Sequence, residues 1–399
     1  MKRGLNLVAA AFALTALSYG LARFAYGLLL PQIRNELSLD VTTAGWIGGS
    51  AFAAYCVGIM LAFYAIGVVG ARCIALSAGV AATLGMGLVT VASSGWTLGM
   101  GIGLAGLSTG LTSPPLATAV AARFNDRDSP KANGTINAGT AAGIVFSGMA
   151  ALLAAGAWRE LYGLFALIGA GVTVWIWFAV PSCKSEQGAS KPSLAILRRP
   201  GVRTLCVSAA LMGLSSTAIW TFGADILRND FRFSDERLAW VWVVVGAAGI
   251  SGSLTGVLTN RFGTARVHGC ALLGIALGTL GLAATAFSPG YGFAAMGLFG
   301  AAYIVSSGTF LIQGIKLLAD RPDLGLGIPF LSLALGQAVG TPLFGATLSV
   351  TGTVGALAIF AVAACLAIYV RPQSAPDAGS AAHPGHAATA SESSAGRRR

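Results

Sequence analysis

Charged residues are scarce in this chain, and their scarcity decides its class. Only 10% of its 399 residues are charged and 55% are hydrophobic, whereas ordinary soluble domains carry about 25% charged residues. Such a chain cannot cover itself with a polar surface. The composition therefore excludes a soluble globular domain and predicts an integral membrane protein surrounded by the lipid bilayer.

Residues that usually carry chemistry are scarce as well. Asp and Glu together number 14, His only three, and the six Cys have no paired spacing. These counts exclude a disulfide framework. Two enzyme-like motifs, GIGLAG at 101–106 and GLSTG at 106–110, lie in one apolar run without a preceding strand, and His268 at a loop edge is no buried base for Ser108. We expect no catalytic site, no metal and no cofactor.

The excess of positive charge is explained by the orientation of the chain in the membrane. A net charge of +11 on a soluble domain would suggest a nucleic-acid partner. Here the Lys and Arg residues lie in short loops between apolar runs, so we expect no nucleic acid to bind.

Glycine is abundant, with 55 residues. Small residues let membrane helices pack backbone to backbone, because no hydrophobic driving force acts between helices in lipid. The pairs spaced for such packing are Gly99 and Gly103, Gly139 and Gly143, and Gly252 and Gly256.

Apolar runs predict twelve membrane spans. The first, Leu7 to about Pro31, can cross the roughly 30 Å hydrocarbon core at about 1.5 Å per residue, and it is too long for a secretory signal. The others are predicted near 44–68, 73–92, 97–121, 132–156, 161–181, 204–228, 238–259, 266–287, 291–314, 325–350 and 353–370.

The distribution of Lys and Arg orients these spans. With a cytoplasmic N-terminus, nineteen of the 25 bases fall inside, five fall outside, and one, Arg23, lies within the bilayer. This asymmetry is what the positive-inside rule predicts. We expect a multi-pass protein of the plasma or inner membrane with both termini cytoplasmic.

A polar connection divides the spans into two sets of six. The predicted units are an N-terminal six-helix half at 1–181, a cytoplasmic linker at 182–203, a C-terminal six-helix half at 204–371 and a disordered cytoplasmic tail at 372–399. The phrase DVTTA at 40–44 has a counterpart, DERLA, at 235–239. Gly70 likewise has a counterpart near Gly263. The two pairs are separated by almost the same number of residues, as expected if a six-helix unit was duplicated.

The loop between spans eight and nine carries the most specific motif. It reads Gly256-Val-Leu-Thr-Asn260-Arg261-Phe-Gly263-Thr-Ala-Arg266. This resembles the loop signature of the major facilitator superfamily of secondary transporters, with Asn260 in place of the signature's Asp.

The matching N-terminal loop is more eroded. Gly70 and Arg72 remain, but Gly67 occupies the acidic position and Phe63 that of the first glycine. In the family this loop is held to brace a neighbouring helix in one conformation, and both loops of this sequence lack the carboxylate of that brace. The phrases ARFAYG at 22–27 and GQAVG at 336–340 further resemble a poorly characterised bacterial branch of the superfamily.

The resemblance implies an all-α fold of twelve helices in two six-helix halves. Halves that rock around a midplane site give alternating access, because the site hardly moves while the opening changes sides. In this fold, as the resemblance implies, spans one, four, seven and ten line the central path.

Arg23 is the leading candidate for function. It lies inside the first span, roughly 6 Å by helical rise from the midpoint, where a guanidinium is costly unless it faces water, a carboxylate or an anionic ligand. The functional interpretation is that Arg23 recognises substrate; the alternative is a structural arginine that snorkels or caps carbonyls.

Asp225, in span seven, is the one acidic partner predicted near the membrane. A pair between Arg23 and Asp225 would close the external side and open when the halves part. The alternative is an interfacial residue among neighbouring charges. No carboxylate is predicted at mid-depth, so the coupling ion, proton or sodium, stays open.

Further polar and aromatic residues are candidates for the path, or else for packing and interhelical hydrogen bonds. They are Tyr19, Tyr26, Asn137, Trp220, Tyr303, Ser306, Ser307 and Gln337. Pro114, Pro115 and Pro342 are predicted to bend their helices.

Two functions from different classes follow. The first is a secondary carrier of a small solute, in which Arg23 recognises a carboxylate or phosphate group, with uptake or efflux undetermined. The second is a membrane sensor or receptor-like protein that does not transport. We expect a monomer in either case.

Overall fold

The computed structural model describes residues 2–125, 127–154, 156–183 and 194–370. Within these ranges the chain is helical and contains no β-strand, as the predicted all-α class requires. The predicted tail and residues 184–193 of the predicted linker lie outside the described residues.

Long α-helices make up most of the described chain. In chain order they are α1 (Lys2–Thr15), α2 (Ala25–Leu37), α3 (Val41–Val69), α4 (Ala71–Thr90), α5 (Gly95–Ala121), α6 (Ser129–Ala154), α7 (Trp158–Ala179), α8 (Val202–Trp220), α9 (Gly223–Asn229), α10 (Asp235–Gly249), α11 (Thr255–Phe262), α12 (Thr264–Gly281), α13 (Pro289–Leu317) and α14 (Pro322–Tyr369). A π-helical segment (Ala16–Phe24) joins α1 to α2, and short 3₁₀ segments occupy Leu194–Arg198, Ile250–Leu254 and Leu282–Ala286.

Ten helical stretches in the described ranges are long and apolar enough to cross a membrane. The chain is therefore a multi-pass membrane protein. Two of the predicted spans are not separate members of this set. α5 contains Pro114, Pro115 and many Gly, Ser and Thr residues, which lower its hydropathy. α14 covers both of the last two predicted spans, with Gly352 in a non-helical conformation at φ +70°.

The two loops predicted to correspond have the same turn. Gly70 joins α3 to α4 at φ +85°, and Gly263 joins α11 to α12 at φ +83°. L side chains rarely adopt this conformation, which explains the glycine at both positions. The preceding phrases differ, since Asp40 caps α3 whereas Ser234, the residue before Asp235, caps α10.

Glycine brings the helices into close contact, though not at every predicted pair. A methyl group added at Gly143 or Gly139 would lie 2.3 Å or 2.5 Å from a carbonyl oxygen of the first span. In contrast, Gly99 and Gly103 have neighbours only at 3.8 Å, and Gly256 has open space.

We call α1 to α7, with the π-helical segment, the first group of helices and α8 to α14 the second group; among the places where they touch are α3 with α14 and α6 with α10. Along α3 and α14, a methyl group at Gly45 would lie 2.9 Å from the Thr341 carbonyl oxygen. Along α6 and α10, one at Gly148 would lie 2.9 Å from the Ala239 carbonyl oxygen. One buried apolar core continues across both groups. The two ends of the bundle are called below the Arg34 end and the Arg72 end.

Candidate substrate site

A π-helical segment positions Arg23. The segment Ala16–Phe24 interrupts the first span, at a point where Gly20 lies against the backbone of Gly143 in α6. Single π-helical turns are rare and concentrate at functional sites, because the wider turn redirects side chains. Arg23 lies in the last turn of this segment and is 6% exposed.

The guanidinium of Arg23 has a single hydrogen bond to a side chain in the described residues. Its Nη2 donates to the Gln337 Oε1 at 2.5 Å, and its Nε is buried without a partner. Aromatic rings surround it instead: Cζ lies 4.5 Å from the ring centre of Phe52, 4.7 Å from Tyr55 and 4.9 Å from Phe24. Within the described ranges, the site therefore holds a buried cation whose neighbours are rings and an amide, with no hydrogen-bonded carboxylate.

Gln337 joins four helices at this point. Its Oε1 accepts from Arg23 of the first group, and its Nε2 donates to Ser216 Oγ at 3.1 Å and to Tyr303 OH at 3.2 Å. Ser216, Tyr303 and Gln337 belong to α8, α13 and α14. The Arg23 bond is thus a buried polar contact between the two helix groups.

Trp220 forms the aromatic wall of the same site. Its ring stacks on Phe24 at 4.1 Å between ring centres and meets Tyr303 edge-on at 5.1 Å. Phe299 and Trp242 pack around the indole at 5.4 and 6.1 Å. A backbone contact between the groups lies beside it, since a methyl group at Gly27 would lie 1.9 Å from the Trp220 carbonyl oxygen.

The structure brings together some of the predicted path residues and separates others. Tyr19 borders the site, because its ring centre lies 5.9 Å from the Arg23 Cζ and its hydroxyl shares a 3.0 Å hydrogen bond with the exposed Ser113. Tyr26 points away and donates to the Ala44 carbonyl oxygen at 3.1 Å. Asn137 is exposed on α6.

The predicted gate has a different partner. Asp225 forms its ion pair with Arg34, which lies eleven residues beyond Arg23 in the first span, and also accepts from Asn229 at 3.0 Å. The sequence predicts that Asp225 lies closer to the outer membrane face than Arg23 does. The structure places it at the end of the bundle, where Arg34 is the nearest base.

Further polar contacts join the two groups at the Arg34 end. The Gln32 Nε2 of the first group donates to the Asp235 Oδ1 of the second at 3.1 Å, and Arg228 pairs with the same carboxylate at 3.2 Å. A cavity of about 470 Å³ lies between the groups here, lined among others by Arg34, Asp225 and Thr353.

The signature-like loops lie at the Arg72 end. The Arg72 Nε donates to the Val180 carbonyl oxygen at 2.7 Å, within the first group. Phe63, at the position of the signature's first glycine, lies against Gly327 of α14 in the second group. Near the loop after α3, which lacks the signature's carboxylate, the first group therefore meets α14 through the apolar side chain of Phe63.

The matching loop of the second group has an exposed polar surface. Asn260, Arg261 and Arg266 are exposed, and the Arg261 guanidinium lies 5.2 Å from the centre of the Phe262 ring. The loop contributes a turn at Gly263 and a basic surface.

Sequence reasoning missed His268. Predicted at a loop edge, it is fully buried in α12. Its Nδ1 lies 3.0 Å from Ser306 Oγ and 2.9 Å from Thr309 Oγ1, its Nε2 lies 3.0 Å from Ser208 Oγ, and Phe310 meets its ring edge-on. Ser307 donates to the Tyr303 carbonyl oxygen within α13. Because α12 begins at Thr264, the residue lies in the first turns of a helix that three others cover.

Comparison with known proteins agrees with this all-helical membrane fold. A family model described as Major Facilitator Superfamily matches residues 12–322. The chain belongs to the major facilitator superfamily.

Solved structures share the fold at low identity. The nucleoside transporter NupG, as its D323A mutant, superposes with a TM-score of 0.76 at 13% identity, covering 91% of this chain and 98% of that one. A D-xylose-proton symporter gives 0.73 at 14% identity, covering 92% and 96%. A bacterial homologue of the human lysosomal transporter Spinster, in an inward-facing and occupied conformation, gives 0.72 at 14%, covering 91% and 95%.

One curated relative has a different description. It is the transcription regulatory protein OpdE of Pseudomonas aeruginosa PAO1, 27% identical over 271 residues. The match spans 65% of this chain and 65% of that relative.

Proposed function

We propose that this protein is a secondary carrier that moves a small organic anion by alternating access, with Arg23 as the group that recognises the anion. One observation carries the proposal. A guanidinium is buried where the two helix groups meet, and its hydrogen-bonded side-chain partner in the described residues is an amide.

The positive charge of Arg23 is only partly compensated by its neighbours. An ion buried in protein loses several kcal/mol of hydration, which a counter-ion and full hydrogen bonding normally offset. Aromatic faces offset about 0.5 to 2 kcal/mol each, and Nε remains unpaired. A carboxylate or phosphate would supply two charge-assisted bonds in the geometry that guanidinium favours.

The surroundings of the site are consistent with the same function. Ser113 is exposed in α5 and shares a hydrogen bond with Tyr19, whose ring borders Arg23. Tyr19 thus connects the Arg23 site to an exposed hydroxyl of α5, and polar contacts join the two groups at the Arg34 end.

We further propose twelve spans in two halves. If α5 counts as a span and α14 is divided into two spans at Gly352, the ten apolar stretches become twelve. With cytoplasmic termini, the Arg34 end is external, and the Arg34–Asp225 pair rather than an Arg23–Asp225 pair forms the external gate. Each half is present in one chain, so a monomer suffices.

The experiment is thermal unfolding of the detergent-purified protein with a ligand panel. The panel contains acetate, benzoate, succinate, citrate and inorganic phosphate, with glucose, adenosine and choline as neutral and cationic comparators. A compound that binds only the folded state raises its stability, by about 2.7 kcal/mol at a hundredfold excess over Kd. We expect a panel anion to stabilise the parent protein but not Arg23→Gln.

Two matched variants complete the design. Arg23→Lys keeps the charge but loses the fork geometry, so we expect a weaker anion effect. Arg159→Gln removes a base paired with Glu36 inside the first group and should leave the effect intact. Equal stabilisation of Arg23→Gln by anions, or stabilisation of the parent by choline alone, would contradict the proposal.

A second function has one observation in its favour. The curated relative is described as a transcription regulatory protein, which suits a membrane sensor that binds a solute without moving it. Anion-dependent stabilisation without anion exchange in proteoliposomes would favour the sensor.

A further inference from the structure

His268 lies in a buried cluster of hydroxyl groups that the proposed mechanism does not use. The imidazole is fully buried between α8, α12, α13 and α14. Ser208, Ser306 and Thr309 surround its two nitrogens at 2.9 to 3.0 Å. The donors and acceptors of this cluster can be counted for both protonation states of the ring.

The neutral ring is fully satisfied. The Thr309 hydroxyl donates to the Ser306 carbonyl oxygen at 2.7 Å, so its oxygen is free to accept from Nδ1–H. The Ser208 hydroxyl can then donate to Nε2 at 3.0 Å. The tautomer follows from this network of partners.

The protonated ring is satisfied by one hydroxyl rotation. The Ala367 carbonyl oxygen lies 3.4 Å from Ser208 Oγ and can receive its proton. Ser208 Oγ then accepts from Nε2–H, while the bond at Nδ1 stays as it was. A merely structural histidine needs partners for one state, whereas this cluster provides partners for both.

The groups that face the ring from each packed element are uncharged. The other titratable residues on these four helices are Arg203 and Cys206 on α8, Arg266 and Cys270 on α12, Tyr291, Tyr303 and Lys316 on α13, and Asp323, Cys365 and Tyr369 on α14. In the part of the chain that the structure describes, the hydrogen bonds of the imidazole go to hydroxyls and it forms no ion pair. A proton on His268 would therefore add an unpaired positive charge, which an anion nearby would stabilise.

The Arg23 site lies on the same face of α13. Tyr303 accepts from Gln337, the partner of Arg23. Ser306, one helical turn beyond Tyr303, lies against His268, and residues three apart share a helix face. The two sites thus share one turn of helix.

We propose that His268 is a proton-binding site that couples proton binding to anion binding at Arg23; this inference rests on the proposed function. In the step, Nε2 takes a proton from a hydronium ion, which leaves as water, and the same N–H bond later breaks to return the proton to water. Each ligand favours the other by the same factor, because binding couplings are reciprocal. A monovalent anion and one proton would then cross without net charge.

The direct test observes the ring itself. The 399-residue chain with His383→Ala and His386→Ala keeps His268 as its single histidine, and ¹⁵N-histidine NMR in lipid nanodiscs separates neutral imidazole from imidazolium. Between about pH 4.5 and about pH 8, we expect the imidazolium to neutral ratio to rise toward acid and to increase about tenfold when a stabilising panel anion is added. Arg23→Gln should abolish the anion effect. A ring that stays neutral throughout, with and without anion, overturns the proposal.

A transport measurement separates this inference from the proposed function. In proteoliposomes, His268→Gln should still exchange the anion, with an affinity about tenfold lower at acid pH because the coupling is lost, and should lose at least tenfold of the accumulation driven by a pH gradient; the His383→Ala, His386→Ala protein is the control. Accumulation by His268→Gln equal to the control overturns the proton site but leaves the carrier intact. If no panel anion binds or exchanges with the parent protein, the carrier proposal fails, and the pH titration of the ring alone decides whether His268 binds a proton.

Discussion

Arg23 and Gln337 act as one unit at the centre of the protein. The 2.5 Å bond between them spans the two helix groups, and the Gln337 amide nitrogen is held by Ser216 and Tyr303. A neutral amide oxygen compensates a guanidinium only partly, since bonds to charged groups contribute about 1.5 to 3 kcal/mol and a full counter-ion contributes more. In our account Gln337 occupies the place of the substrate's oxygen when no anion is bound.

Replacing Gln337 by Leu tests this relation. Without an anion, the variant should unfold at a lower temperature, because a buried charged donor loses its partner at a cost of about 1 to 3 kcal/mol or more. With the stabilising panel anion, the thermal shift should be larger than that of the parent protein, since the anion no longer displaces an internal acceptor.

Ser216→Ala is the matched control for this change. It removes one acceptor of the Gln337 amide nitrogen and leaves the bond to Arg23 in place, so its anion-induced shift should equal that of the parent. A smaller anion-induced shift in Gln337→Leu would mean that Gln337 contacts the substrate and does not compete with it.

Single residues also show which part of the site a sequence can predict. Arg23 stands out because a charge inside an apolar run is costly wherever the run packs. Its partner Gln337 is 314 residues away, and no local pattern links the two. His268 was misjudged because burial by α8, α13 and α14 is a tertiary property that its position near a predicted span boundary does not reveal.

Helix ends contribute local stability that can be measured separately. Asp40 caps α3 by accepting from the amides of Thr42 and Thr43, both at 2.9 Å, and from the Thr43 hydroxyl at 2.6 Å. The donors from Thr43, its hydroxyl first, hold the pKa of the Asp40 carboxyl below its ordinary value of 3.8. The cap is therefore stronger when Asp40 is ionised.

Asp40→Ala should lower the stability of the protein by about 1 kcal/mol near neutral pH. Because the folded pKa is lowered, the contribution of the charge is fully present above the ordinary pKa and is lost as the pH falls through the folded value. Melting temperatures of the parent and the variant should therefore converge below about pH 4.

Ser234→Ala provides the control without a titrating group. Ser234 caps α10 by accepting from the Arg237 amide at 3.3 Å. The loss of stability caused by Ser234→Ala should not change with pH over the same range. If the loss caused by Asp40→Ala also stays constant down to acid pH, the cap does not depend on the carboxylate charge.

Helix existence was predictable, and helix continuity was not. Apolar length identified most spans, because a run of about 20 apolar residues satisfies the bilayer whatever it packs against. The π-helical turn at Ala16–Phe24 and the non-helical Gly352 inside α14 depend on neighbouring helices. The same dependence explains why DVTTA and DERLA resemble each other in sequence but differ in which residue caps the helix.

The whole molecule is held at its Arg34 end by contacts that must part if the carrier alternates. The Arg34–Asp225 pair joins the two groups, and the Asp225 side chain is 3% exposed. Removing one partner of a buried pair leaves an uncompensated charge, so a charge-neutral pair of changes is the cleaner probe. We expect Arg34→Gln with Asp225→Asn to favour opening of this end.

A cysteine in the first turn of α3 can report opening, because Val41 at the start of that turn lines the cavity beside the pair. Ala44 is fully buried near the start of α3, and Ala44→Cys should react with a membrane-impermeant maleimide only when the Arg34 end opens. The double change should raise its labelling rate several-fold, that is by roughly 1 kcal/mol of population shift. Arg159→Gln with Glu36→Gln, which breaks a pair at the same end but inside the first group, should leave the rate unchanged. Equal acceleration by both double changes would mean that the Arg34–Asp225 pair is no gate.

Anion exchange by the reconstituted protein shows whether it carries anions through Arg23. Proteoliposomes loaded with the unlabelled panel anion are placed in a trace of the same radiolabelled anion, for the parent protein, Arg23→Gln and Arg159→Gln. We expect exchange by the parent and by Arg159→Gln and none by Arg23→Gln. Binding without exchange in the parent protein, or exchange by Arg23→Gln at the parent rate, would contradict a carrier that recognises anions through Arg23.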